Sequence, residues 1–312
     1  MTAPRNSRLA VLMATWQGET WIEAQLESFA AQTRRPDLVL SSDDGSCDAT
    51  VAIQQAFARR HPELPIQLLT GSAGGAAGNF LSLIRRTPGD VDRISLSDQD
   101  DVWLPGKLAR ASAALDAAGD ERPVLYCARV FVCDETLARR QASRCLRRGP
   151  SFLNALTQNV CTGNTIVLNR PALDLARAAA EVTGGIVVHD WWLYQIVTGA
   201  GGRVIFDEEP QVLYRQHGRN LIGANAGLVA RARRMRQLWS GVYGQWNDAN
   251  LAALTEARHL LTPANAALVA RFAALRSAGP VARLAGLRRL GLHRQGMMGQ
   301  MSLYGAAALG KI

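Results

Sequence analysis

Along the first hundred positions the apolar residues come in short runs, and each run stops at a polar cluster. Arg8–Ala14 (RLAVLMA) leads into Thr15-Trp16-Gln17-Gly18, and Pro36–Ser42 (PDLVLSS) into Asp43-Asp44-Gly45-Ser46. Pro65–Thr70 (PIQLLT) leads into a Gly-rich turn, and Val91–Leu96 (VDRISL) into Ser97-Asp98-Gln99-Asp100-Asp101. Runs of this length bounded by Gly, Asp and Ser predict buried strands. Between them the apolar spacing becomes helical: Trp21, Ile22, Leu26 and Phe29 within residues 19–32, then Val51, Ile53, Ala56 and Phe57 within 48–61. Asn79–Arg86 opens a third helical segment. Such alternation predicts a mostly parallel α/β sheet flanked by helices. Ligands of these sheets sit beyond the carboxyl ends of the strands, where Thr15–Gly18, Asp43–Ser46 and Asp98–Asp101 all fall.

After residue 101 the pattern is less regular. Val124–Val132 and Thr165–Leu168 read as strands, and Pro171–Val182 and Trp191–Val197 as helices. Val204–Phe206 and Gln211–Tyr214 read as two separate extended pieces. From Ala226 the chain is rich in Ala, Leu and Arg. Three or four helices are expected there, broken near Gly241–Asn247, Pro263 and Gly279-Pro280.

Charge changes this picture. The 312 residues carry a formal net charge of +9, which by itself suggests an anionic partner such as nucleic acid. Residues 226–312, however, hold 12 Lys+Arg against 2 Asp+Glu, leaving 23 against 24 in residues 1–225. The larger part is near neutral, and nucleic-acid recognition is not expected. The basic tail suits an anionic membrane surface, an ordinary helical subdomain with solvated Arg, or pairing with acidic patches of the same or another subunit. With 48% apolar and 20% charged residues the chain is not disordered. No run approaches the ~18–20 apolar residues of a membrane span, and Met1–Ala14 does not resemble a secretory leader. A cytoplasmic protein, peripheral on the membrane if the tail docks there, is the expectation. The five cysteines are odd in number and form no C-x-x-C pair, so reduced thiols are expected rather than a zinc site. Gly71–Gly78 fits neither nucleotide-loop pattern and is read as a flexible turn. Hydrolase elbows and zinc-protease motifs are absent.

Asp98, Asp100 and Asp101 end a predicted buried strand, on the same rim as Asp43-Asp44. Clustered carboxylates repel unless a cation neutralises them, and Mg²⁺ or Mn²⁺ prefers carboxylate oxygens combined with substrate phosphates. A solvated acidic turn is the alternative. Asp190, in His189-Asp190-Trp191-Trp192, is either a helix N-cap or a general base. His217, in Tyr214-Arg215-Gln216-His217-Gly218, is either a structural loop residue or a metal or phosphate ligand.

Seven segments taken in order resemble family 2 glycosyltransferases of the GT-A fold. They are Met13-Ala14-Thr15-Trp16-Gln17-Gly18-Glu19 with Gln25-Leu26-x-Ser28 and Gln32-Thr33, Ser42-Asp43-Asp44-Gly45-Ser46-x-Asp48-x-Thr50, and Gly78-Asn79-Phe80-x-Ser82-Leu83. Ser97-Asp98-Gln99-Asp100-Asp101-Val102-Trp103 with Lys107-Leu108 follows, then Asn159-x-x-Thr162-Gly163-Asn164-Thr165, His189-Asp190-Trp191-Trp192, and Tyr214-Arg215-Gln216-His217-Gly218-x-Asn220-x-x-Gly223-Ala224. The order and spacing are most similar to the bacterial rhamnosyltransferase-like branch of surface polysaccharide assembly. One departure is Cys47, where the family commonly has Thr. No segment of 226–312 matches.

The resemblance implies a GT-A domain over 1–225, with a nucleotide-binding half (1–101) and an acceptor half (102–225), followed by a basic helical region over 226–312. It implies that Thr15, Gln17, Glu19, Asp43 and Asp44 line the nucleoside pocket. Asp98 and Asp100 would meet the ribose and the metal, with His217 as a further metal ligand and Arg215 as counter-charge to the diphosphate. Asp190 would be the base of an inverting transfer. The donor would be a nucleotide-diphosphate sugar, dTDP-rhamnose or a UDP-hexose, and the acceptor a glycan or lipid-linked saccharide in O-antigen, capsule or exopolysaccharide synthesis. A non-catalytic scaffold of such an assembly, or a homo-oligomer, remains an alternative organisation.

Overall fold

The structure is a computed structural model and describes residues 7–218 and 242–312. Asn220, Gly223 and Ala224 of the last motif, the boundary at 225/226 and Gly241 lie outside the described residues.

Strands β1 (Leu9–Thr15), β2 (Leu38–Asp43), β3 (Ile66–Thr70) and β4 (Arg93–Ser97) form a parallel half-sheet in the order β3-β2-β1-β4. Helices α1 (Ile22–Ala30), α2 (Thr50–Arg60) and α3 (Gly75–Arg86) make the crossovers. Because side chains alternate along a strand, β1 feeds two cores. Leu9, Val11 and Met13 pack with Ile22, Leu26 and Phe29 of α1, whereas Ala10 and Leu12 pack with Phe80 and Ile84 of α3. The Gly-rich stretch is shorter than expected as a turn, since Gly75 already begins α3.

The second half is mixed. Strand β5 (Val102–Trp103) follows the acidic loop, and α4 (Lys107–Ala118) then leads to β6 (Val124–Cys133), which carries a hairpin to β7 (Arg140–Ala142). Helix α5 (Phe152–Ala155) and a 3-10 turn (Gly163–Thr165) precede β8 (Val167–Leu168), followed by α6 (Arg170–Val182), α7 (His189–Gly199) and β9 (Arg203–Arg215). The full order is β3-β2-β1-β4-β8-β6-β9-β5, with β7 on β6. The β6–β9 pair is parallel, while β8 runs antiparallel to both β4 and β6. The two extended pieces expected near 204–214 are one strand. Ala128 pairs with Asp207 and Val130 with Val212, so residues 208–211 bulge out. Pro210 lies in that bulge, where it need not donate to the ladder.

Among the described residues four helices follow: α8 (Val242–Glu256), α9 (Pro263–Arg276), α10 (Pro280–Leu290) and α11 (Gly296–Ala308). Pro263 and Pro280 open α9 and α10 as expected, but α8 runs unbroken through 242–247. The core does not stop at these helices. Leu254, Phe272, Leu287, Leu303 and Ile312 are buried in one cluster with Phe152, Trp191 and Ile196.

Candidate active site

The loops after β1, β2 and β4 hold one another. Thr15 Oγ1 donates to Asp43 Oδ1 at 2.8 Å, and Ser46 Oγ donates to the same oxygen at 2.7 Å. Asp43 Oδ2 accepts from the backbone of Gly45 and Ser46 at 3.1 and 2.7 Å. Both oxygens of Asp43 thus serve the turn. Asp44 accepts a hydrogen bond at Oδ1 from Ala73 N at 2.8 Å, which leaves its second oxygen as the better candidate for meeting a base. Gln17, held at φ +50°, donates its backbone N–H to Ser46 Oγ and its side chain to Cys47 Sγ. The Glu19 carboxylate accepts from Ala49 N at 2.9 Å, at the head of α2. Gln99 bonds both backbone groups of Trp16 at 2.8 Å, tying the β1 loop to the acidic loop. A Cβ at position 18 would strike the Gln99 side chain, so Gly18 permits this approach.

The acidic loop meets the end of β9. His217 Nε2 lies 2.8 Å from Asp100 Oδ2, and the Arg215 side chain donates to the Asp100 carbonyl at 2.9 Å and to the Glu135 carbonyl. Asp101, fully buried, accepts from Arg215 N at 3.0 Å and from Asn164 Nδ2. Trp21 packs against both residues, with its ring 4.3 Å from the Arg215 guanidinium and 5.7 Å from the His217 ring. Burial together with the Asp100 and Asp190 carboxylates pushes the Asp98 carboxyl up to about 8.

Asp190 is not an N-cap. That position of α7 is Val188, which gives no side-chain bond, and Asp190 is the second helical residue. Burial raises its carboxyl to about 6, against hydrogen bonds from Trp191 N, the Asn159 side chain and Gly163 N. Beside it, His189 is buried and stacks on Phe80 with centroids 3.8 Å apart, and burial lowers its imidazole to about 3, so it is neutral. Its Nε2 has no hydrogen-bond partner. A Cβ on Gly163 would stand 2.8 Å from that nitrogen, so glycine is needed for the 159–163 loop to reach Asp190.

The expected residues therefore form two groups. Thr15, Gln17, Glu19, Asp43 and Asp44 make the rim. Asp98, Asp100, Arg215, His217 and Asp190 converge beyond β4, joined to the rim through Gln99. Among the described residues no three His, Cys, Asp or Glu side chains are arranged as a complete metal-binding group. Asp100 and His217 meet as a pair, and Asp98 does not close a triad with them. A pair still fits Mg²⁺ or Mn²⁺, which binds one or two protein ligands and takes the rest from phosphate and water. A cation there would also relieve the crowding that pushes the Asp98 carboxyl up. Trp21 and Asn159 were missed in the sequence as site residues, because Trp21 reads as an apolar helix position and Asn159 as one letter of a motif.

The model of Glycosyl transferase family 2 matches residues 10–174. The chain is 29% identical over 234 residues to dTDP-rhamnosyl transferase RfbG of Shigella flexneri, covering 72% of this chain and 78% of that one. Among solved structures it is similar to S. aureus TarS 1–349 in complex with UDP-GlcNAc, with a TM-score of 0.55, 14% identity, and coverage of 97% of this chain and 90% of that one. A mannosyltransferase from Pyrobaculum calidifontis in complex with GDP-Man and Mn2+ aligns with a TM-score of 0.50 and 19% identity, over 99% of this chain and 88% of that one. The chain spans 55% of the longer TarS chain.

Proposed function

Because the chain belongs to glycosyl transferase family 2 and is a glycosyltransferase, we propose that it moves rhamnose from dTDP-rhamnose, with inversion, to a glycan or lipid-linked acceptor in bacterial surface polysaccharide synthesis. The observation that carries the mechanism is Asp190, a carboxylate with a pKa raised to about 6 in the group of acids beyond β4. Such a group is ionised at neutral pH yet basic enough to take a proton. It accepts the proton of the acceptor hydroxyl while that oxygen bonds to the anomeric carbon and the bond to the donor diphosphate breaks from the opposite face. Trp191 N donates to the carboxylate at 2.6 Å, Asn159 and Gly163 favour its ionised form, and neutral His189 does not compete for the proton. Asp44 and Thr15 bind the nucleoside side, and Arg215 braces the acidic loop from beneath. Asp100 and His217 would hold a divalent cation, which supplies Lewis-acid stabilisation to the leaving diphosphate. The likeness to dTDP-rhamnosyl transferase RfbG supports the donor.

A donor-hydrolysis screen across dTDP-rhamnose and UDP-, GDP- and other dTDP-sugars tests this reading. Turnover of dTDP-rhamnose above the rest is expected. Preference for a UDP-hexose would overturn the donor, and binding of neither dTDP nor UDP by calorimetry would favour a scaffold.

A further inference from the structure

Residues 257–312 contain no Asp or Glu and eight Lys or Arg. Within this stretch α11 (Gly296–Ala308) carries no charged residue, and its outward side chains are large and apolar: Met297 is 73% and Met301 66% exposed, with Leu309 just beyond the helix at 54%. Met297 and Met301 share one face at i and i+4, and Leu309 follows at the end of the helix. Exposed Met and Leu on an uncharged helix, in a stretch of chain with no acid, are unusual for a solvated surface.

A second basic segment comes from the main body. Residues 139–148 (RRQASRCLRR) hold five arginines and no acid, and all five are exposed. Arg139 lies 4.0 Å from Asp134 while 94% exposed, too loose to be neutralised. Among the described residues Arg144, Arg147 and Arg148 have no ion-pair partner. The sequence places this segment far from the tail, but the fold joins them through Gln295, next to the first residue of α11. Gln295 Oε1 accepts from Arg147 N and Arg148 N at 3.0 and 3.1 Å, and its Nε2 donates to Arg148 O at 2.8 Å. The arginine segment is therefore fixed beside the Met297 end of α11.

We propose that this composite face, the 139–148 segment with α11, docks on an anionic lipid bilayer. The Met297, Met301 and Leu309 side chains enter the acyl boundary and the arginines meet lipid phosphates. An apolar stripe flanked by cations is the arrangement that binds in the plane of a bilayer. Nucleic acid would use the cations but has no use for the methionines. A second copy would use the methionines but would give the arginines no anionic partner. The proposed face is not confined to the 226–312 tail, since part of it belongs to the main body. The inference rests on surface chemistry and does not depend on the donor assignment.

The test is co-sedimentation of the full chain with phosphatidylglycerol–phosphatidylcholine vesicles and with phosphatidylcholine alone, followed by thermal unfolding and donor hydrolysis on each variant. The wild-type chain should pellet only with the anionic vesicles, and less as salt rises. Arg147→Gln/Arg148→Gln should weaken binding by roughly fivefold per charge, and Met297→Ser/Met301→Ser by a comparable factor. Both variants should keep the wild-type unfolding midpoint and hydrolysis. Equal retention of both variants and the wild type, equal pelleting with neutral vesicles, or a dimer that Met297→Ser/Met301→Ser dissociates without any vesicle binding would each overturn the proposal. Loss of hydrolysis in the wild type would overturn the transfer reading and leave the docking result standing.

Discussion

On the nucleotide side of the site, the loops after β1 and β2 are held by hydrogen bonds between residues 28 to 32 positions apart. On the acceptor side, the loop of Asn159 and Gly163 packs beside Asp190 and favours its ionised form, and that loop rests on the far end of the chain. Thr157 Oγ1 donates to His293 O at 2.7 Å, Arg294 Nε donates to Thr157 O at 2.8 Å, and Gln295 N donates to Gln158 Oε1 at 2.6 Å. The Arg294 guanidinium sits 5.1 Å from the Tyr243 ring of α8. If the proposed roles hold, donor binding is a property of neighbouring βα units, whereas positioning of the proposed base is a property of the whole chain. Changes in the C-terminal helices should reach the chemical step and spare the nucleotide.

The largest separation of the two sides is expected from Asp190→Asn. Its kcat should fall by about 10²–10⁴-fold, with calorimetric affinity for the nucleotide unchanged. Burial raises this carboxyl above its unfolded value, so its contribution to stability is lost as pH rises through about 6. Asp190→Asn should accordingly melt higher than the parent above pH 6, and a lower melting temperature there would argue against burial as the cause. Next comes pH itself. The base works only when ionised, so kcat should drop about tenfold per unit below about pH 6. A rate that stays flat to pH 5 would remove Asp190 from the role.

A change confined to the other side is smaller. Asp44→Asn should weaken donor binding by about tenfold, from loss of one hydrogen bond to a charged group, and leave the pH profile of kcat in place. Arg294→Ala tests the long-range link. It should lower stability by about 2–3 kcal/mol through the unpaired Thr157 carbonyl and the lost ring contact. Its kcat should fall a few-fold while donor affinity holds. Equal losses in kcat and donor affinity would show that the two sides are not separable.

The parallel half of the sheet was legible because each buried strand is an apolar run closed by Asp, Gly or Ser. Strand β5 was not, because two residues have no period. Strand β9 looked like two pieces because Glu208, Glu209 and Pro210 interrupt it, although the ladder resumes beyond the bulge. The breaks at Pro263 and Pro280 were legible from proline chemistry. Gly244 suggested a break that the helix does not make; Arg276 donates to its carbonyl at 3.0 Å across from α9. In the site, acids and histidines announce themselves as residue types. The seat of the 157–158 loop on 293–295 does not, because it joins positions 136 and 137 apart with ordinary polar groups.

That seat bears on how such chains can be recombined. A crossover anywhere between Gln158 and His293 that exchanges the last helices between two related enzymes would graft a foreign 293–295 under a native 157–158. The loop beside the base would then rest on a mismatched support. Tail swaps intended to move an enzyme to a new surface should carry α5 and residues 157–158 along with the helices. The unit of exchange is a patch in space assembled from both ends of the gene.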